Sequence, residues 1–99
     1  MPQYVTVGTL KLGPGQRPFA EGIADHGVHG MAQMPGFVSV TFFLDEAANE
    51  YGAYSVWESR EQAEAADMQL TPQFEQAFGD QLQGKISTHI YEIYVPNSK

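Results

Sequence analysis

Trp57, the single tryptophan of the chain, ends the period-2 run Tyr51, Ala53, Ser55, Trp57, which places one large aromatic beside small neighbours on one strand face. That arrangement leaves room for a flat molecule against the indole. It is equally the arrangement of an ordinary core tryptophan, and the residues alone keep both readings open. The other groups able to do chemistry are histidines. His26 falls near the edge of an apolar helical face and His89 falls on a strand. A neutral imidazole is suited to taking a proton near neutral pH, so each is a candidate general base, for a phenol among other acids. His29 stands four residues from Asp25 and invites a helical pair.

Other chemistries lack their residues. Cysteine is absent, which removes thiol nucleophiles, thiolate zinc sites and disulfides. His26 and His29 are spaced i, i+3 without an identifiable third ligand, so no metal site is expected. Asp45 and Glu46 lie in a turn as solvated carboxylates, Gly13 and Gly15 lack the longer phosphate-loop spacing, and no Ser-His-Asp set can be assembled. Five basic against twelve acidic residues give a net charge of −7, and the basic ones are scattered. That argues against nucleic acid and against an anionic membrane. No apolar run approaches about 18 residues and no basic n-region opens the chain, so a soluble, cytoplasmic protein is expected.

The elements that must position these groups follow from the patterning of 99 residues, read as one domain with a core over 3–95 and a frayed tail over 96–99. Residues 4–12, YVTVGTLKL, form a strand apolar on both faces, broken by Gly13-Pro14-Gly15. Phe19, Ile23, Met31 and Met34, with Gly27 and Gly30, recur at helical spacing over about 16–34. Gly22, Gly27 and Gly30 each cost such a helix about 1 kcal/mol against Ala. They mark either a close approach of the backbone to the sheet or a pocket.

Pro35-Gly36 stops this helix before the strand 37–44, FVSVTFFL, and a six-residue acidic loop, 45–50, joins it to the strand 51–58. Ser59 is the N-cap of the next helix, with Gln62 as capping-box partner. Thr71-Pro72 reads as N-cap and first position of a second short helix through Gln83, carrying Phe74, Phe78 and Leu82, and 86–95 is the last strand. The order β-α-β-β-α-α-β is the ferredoxin-like α+β pattern: a four-stranded antiparallel sheet with helices on one face. The other face, apolar in every strand, then needs a partner, most simply a second copy of the chain.

Four features in this order, Gly13-Pro14-Gly15, Pro35-Gly36-Phe37, Trp57-Glu58-Ser59, and Pro72 followed by Phe74 and Phe78, resemble the antibiotic biosynthesis monooxygenase (ABM) domain family of the dimeric α+β barrel superfamily. The resemblance implies a homodimer through the sheet face and a pocket between sheet and helices, lined by Trp57 and by Phe19, Ile23, Phe74 and Phe78. It also implies oxygenation of a small electron-rich aromatic, a quinol or a polyketide-like compound, without a cofactor. The chain departs from the family's haem degraders, having no Asn in 3–12 and no His in 71–83. It also has Met68 and Gln73 where many relatives have His, and Ala53 where polyketide-type oxygenases have Asn. What remains for chemistry is Trp57, His26, His89 and the tyrosines. The alternatives are a non-catalytic ligand-binding or interaction dimer on the same fold, and an isomerase or cyclase using a histidine base.

Overall fold

The computed structural model describes residues 2–97, so Ser98 and Lys99 of the expected tail lie outside the described residues. The elements are β1 (Tyr4–Lys11), α1 (Arg17–Ala32), β2 (Phe37–Asp45), β3 (Glu50–Trp57), α2 (Arg60–Phe78), a 3-10 turn (Gly79–Gln81) and β4 (Ser87–Glu92). The strands form one antiparallel sheet in the order β2-β3-β1-β4. The expected ferredoxin-like α+β architecture is therefore present, with both helices on one face.

Three boundaries differ from the sequence reading, each for a local reason. Asp45 and Glu50 pair across the hairpin, so the loop is four residues rather than six. It is tightened by the Ala48 N–H donating to Asp45 Oδ1 (3.3 Å), with Asn49 in the left-handed region at φ 55°. The second helical stretch does come in two pieces, but the break falls at Gly79 (φ 54°), not at Thr71, and α2 runs unbroken through Pro72. Pro72 has no N–H for the Met68 carbonyl, and Met68 is 80 % exposed, so water can satisfy that oxygen. Thr71, instead of capping, donates its hydroxyl to Asp67 Oδ1 one turn earlier (2.8 Å). The last strand, Ser87–Glu92, is shorter than the 86–95 expected, because the pairing with β1 ends where Tyr4 meets Glu92.

The α2 N-terminus is capped as its sequence demands: Ser59 Oγ accepts from the Gln62 N–H at 3.2 Å. The Gln62 side chain does not complete the box. It packs against Gly36, where φ is 82° and a Cβ would collide with it, and its Oε1 is buried without a partner. Of the α1 glycines, Gly27 is a close-packing position, but against Phe74 of α2 (3.1 Å from an added Cβ) and not against the sheet. Gly22 and Gly30 face open space.

Cross-strand register groups the inner sheet face into four rows. Trp57 stands beside Tyr4 and Phe37, Ser55 beside Thr6 and Val40, Ala53 beside Gly8 and Phe42, and Tyr51 beside Leu10 and Leu44. The end rows are bulky and the two middle rows are small across β1 and β3. Consequently the core divides in two. One cluster holds Trp57, Met31, Ala63 and Ala66, and the other holds Leu12, Ala20, Tyr51 and Phe78. Side chains of the middle rows are too short to reach the helices above them.

Candidate functional site

The gap between the two clusters is a cavity of about 310 Å³. Its floor is the pair of small rows, Thr6, Gly8, Ala53 and Ser55, and its ends are Trp57 on one side and Tyr51 with Leu10 on the other. The helices roof it with Ile23, Met31, Leu70, Phe74 and Phe78. The volume is at the lower end of the range for small-molecule sites and about twice the 150 Å³ that holds a benzene in an apolar core. It therefore has room for a molecule the size of about two fused rings.

Trp57 is 1 % exposed, and its indole N–H donates to Ser55 Oγ, two residues back on the same strand face, at 2.9 Å. Phe37 packs edge-on against the ring (5.6 Å between centroids, 78°). With the indole N–H satisfied internally, what the tryptophan offers the cavity is apolar surface. Its neighbours are Phe37, Met31 and the alanines of α2. Phe74 and Phe78, expected to line the pocket with it, belong to the other cluster and face it across the cavity.

Most of the lining is apolar, and its polar groups are few. Asp67, half-buried on α2, accepts the Thr71 hydroxyl at Oδ1 (2.8 Å) and the Thr88 hydroxyl of β4 at Oδ2 (3.2 Å). Thr6 Oγ1 is buried without a hydrogen-bond partner. Glu21 and Asp25 also contribute, but Glu21 is exposed and held by Arg17 (3.0 Å), and Asp25 is exposed too. The hydrogen bonds that Arg17 donates to Glu21, first, and to Glu46 raise its pKa above the usual value.

The structure brings Trp57, Ile23, Phe74 and Phe78 together on this cavity and leaves the other expected site residues off it. Phe19, 38 % exposed, sits edge-on to Phe78 (5.8 Å) and faces an outer groove between α1 and α2. His26 is exposed on that same groove. Ile23, Leu70 and Phe74 form the wall between groove and cavity. His89 is exposed on the opposite sheet face, since its neighbours Thr88 and Ile90 take the inner one. Its Nδ1 lies 3.1 Å from the Thr88 carbonyl and its ring 6.0 Å from Tyr91. Among the described residues His29 and Asp25 form no ion pair, and no group of three or more His, Cys, Asp or Glu is placed to hold a metal ion.

Asp67, Thr6 and Thr88 are site residues that sequence reasoning did not single out. The Asp67-Thr71 spacing of four was available, but it carries meaning only if the helix continues through Pro72. Thr6 and Gly8 acquire theirs only from the register opposite Ser55 and Ala53.

Solved structures share this fold. The fold is similar to that of a protein of unknown function from Nitrosomonas europaea (TM-score 0.79, 11 % identity, 100 % of this chain and 96 % of that one). It is likewise similar to SnoaB, a cofactor-independent oxygenase from Streptomyces nogalater (TM-score 0.74, 16 % identity, 100 % of both chains). A third is the monooxygenase of the ActVA-Orf6 gene of Streptomyces coelicolor, solved with nanaomycin D (TM-score 0.72, 17 % identity, 99 % of this chain and 93 % of that one). Comparison with curated proteins gives no match. At these identities the structures speak for the fold. The sequence itself matches the family model described as antibiotic biosynthesis monooxygenase over residues 3–78, about three quarters of the chain, and the chain belongs to that family.

Proposed function

We propose that the protein binds a small, planar, electron-rich aromatic in the cavity between sheet and helices and oxidises it with dioxygen without a bound cofactor. The observation that supports this reading best is the cavity itself: about 310 Å³, apolar, ended by a buried Trp57, in a chain of this family. SnoaB, of the same fold, is a cofactor-independent oxygenase, and the ActVA-Orf6 monooxygenase was solved with nanaomycin D.

In such a reaction the substrate supplies both electrons. Loss of a phenolic proton raises the electron density of the ring, one oxygen atom enters the substrate, and the other leaves as water with two hydrogens taken from the substrate. The protein's part is to hold the ring, exclude bulk water and position the hydroxyl. Trp57, Ile23, Phe74 and Phe78 supply the apolar contact.

A homodimer through the outer sheet face belongs to the same proposal. Phe43 and Tyr54 stack there (6.4 Å, 28°), and Phe43, Tyr54 and Tyr91 are 40 %, 42 % and 53 % exposed, flanked by Val5, Val7 and Val56. An aromatic patch of that kind on a chain this small is better covered by a second copy than left to water. His89 would then lie at the interface, and a base drawn from His26 or His89 would have to act from outside the cavity.

That placement favours a second reading, a binding dimer without catalysis. Dioxygen uptake separates the two, measured in chelator-treated buffer with hydroquinones and dihydroxynaphthalenes. Uptake by the parent that disappears in Ala53→Leu, which fills the floor of the cavity, supports the oxygenase. Binding without uptake supports the second reading.

A further inference from the structure

We propose that Asp67 and Thr6 form a polar side of the cavity, along the β1-β4 part of its floor, and select an aromatic that carries a hydroxyl group with a second oxygen on the same edge. Asp67 accepts the hydroxyl's hydrogen bond, and Thr6 donates to the second oxygen. The inference rests on the reading of the cavity as an aromatic-binding site and adds the chemistry that orients the ligand within it.

A carboxylate offers about four acceptor positions, and Asp67 spends one per oxygen on Thr71 and Thr88, both of which also line the cavity. Those two bonds fix the plane of the carboxylate between α2 and β4 and leave it able to accept from inside. Of the three cavity carboxylates it alone is half-buried, because Glu21 and Asp25 are exposed. Thr6 supplies an independent observation. Its hydroxyl oxygen is buried and has no partner, and the residue lines the same cavity, so its donor is an unmet polar demand at the cavity floor.

The two groups are neighbours by register. Thr88 pairs with Gly8, two residues along β1 from Thr6 on the same face, so the Asp67-Thr88 bond ends diagonally across from the Thr6 hydroxyl. Gly8 places no side chain between them. A carboxylate that only accepts and a hydroxyl free to donate describe a ligand edge with one donor and one acceptor. Asp67 is thereby assigned as a positioning group that holds the hydroxyl in one orientation.

The test compares 1,8-dihydroxynaphthalene with its dimethyl ether, 1,8-dimethoxynaphthalene, titrated under argon with Trp57 fluorescence as the readout. The parent is expected to prefer the diol by about tenfold or more, the scale of a hydrogen bond to a charged acceptor. Asp67→Asn should remove most of that preference and leave affinity for the ether within about twofold. Thr6→Val, which keeps the side chain's shape, should weaken the diol and the ether together, and it provides an independent arm should Asp67→Asn fail to fold. Equal binding of diol and ether by the parent overturns the proposal and leaves the cavity reading intact. So does an Asp67→Asn variant that loses both probes alike, the mark of a carboxylate that merely ties α2 to β4. If neither probe binds, the cavity reading fails and the proposal with it.

Discussion

The Trp57 indole N–H donates to Ser55 Oγ at 2.9 Å, so the largest buried side chain is fastened to the same strand face from which the floor of the cavity is built. Ser55→Ala leaves that N–H buried and unpaired, which costs about 1–3 kcal/mol. Trp57→Ala should cost about 3–5 kcal/mol, the range for a large aromatic in a core, because the indole is buried among Phe37, Met31 and the α2 alanines. Urea unfolding followed by circular dichroism measures both. A Trp57→Ala variant as stable as the parent would contradict the packing described.

The α1 glycines should separate by their surroundings. Gly22→Ala and Gly30→Ala meet nothing within 4 Å and should each stabilise the helix by about 0.5–1 kcal/mol. Gly27→Ala brings a methyl to 3.1 Å from the Phe74 ring, so the same propensity gain should be cancelled or reversed. Thermal unfolding of the three variants in parallel is the measurement, and equal gains at all three positions would contradict the α1-α2 contact.

Pro72 offers a test of helix continuity. In the interior of α2, Pro72→Ala restores an N–H to the Met68 carbonyl and should stabilise by about 1–3 kcal/mol in urea unfolding. If a helix instead began at Thr71, Pro72 would occupy a favoured first position and its replacement would bring no gain.

Dimerisation through the outer face is read from mass in solution. Static light scattering should return roughly twice the chain mass of 10.9 kDa, and Tyr54→Glu, which sets a charge beside Phe43 at the centre of the patch, should return the single-chain value. A parent that stays monomeric at micromolar concentration would contradict that part of the proposal.

The strand faces were legible in the sequence, because alternation states which residues share a side, and so Trp57 beside Ser55 and Ala53 follows from spacing alone. The Ser59 cap and the β1-α1-β2-β3 order were legible for similar reasons of local chemistry. The long α2 was not. Thr71-Pro72 is a strong start signal, and what overrides it is the Thr71-Asp67-Thr88 connection to β4, which exists only in three dimensions. The cavity was half legible. Small residues on β3 announced it, but its full floor needs Thr6 and Gly8 of β1 in register, and its polar side needs β4 beside β1. His26 and His89 show the limit from the other side: their residue type suggested chemistry, whereas the helix and strand faces that carry them point one to an outer groove and the other to the outer sheet surface.

The cavity reading is tested most directly by binding at Trp57, whose fluorescence is the only indole signal in the chain. The parent and Ala53→Leu are each titrated under argon with 1,4-dihydroxynaphthalene, after circular dichroism has shown that both are folded. The expected result is saturable quenching at one site per chain in the parent and its loss in Ala53→Leu. Quenching that never saturates, or that survives unchanged in Ala53→Leu, would contradict the reading.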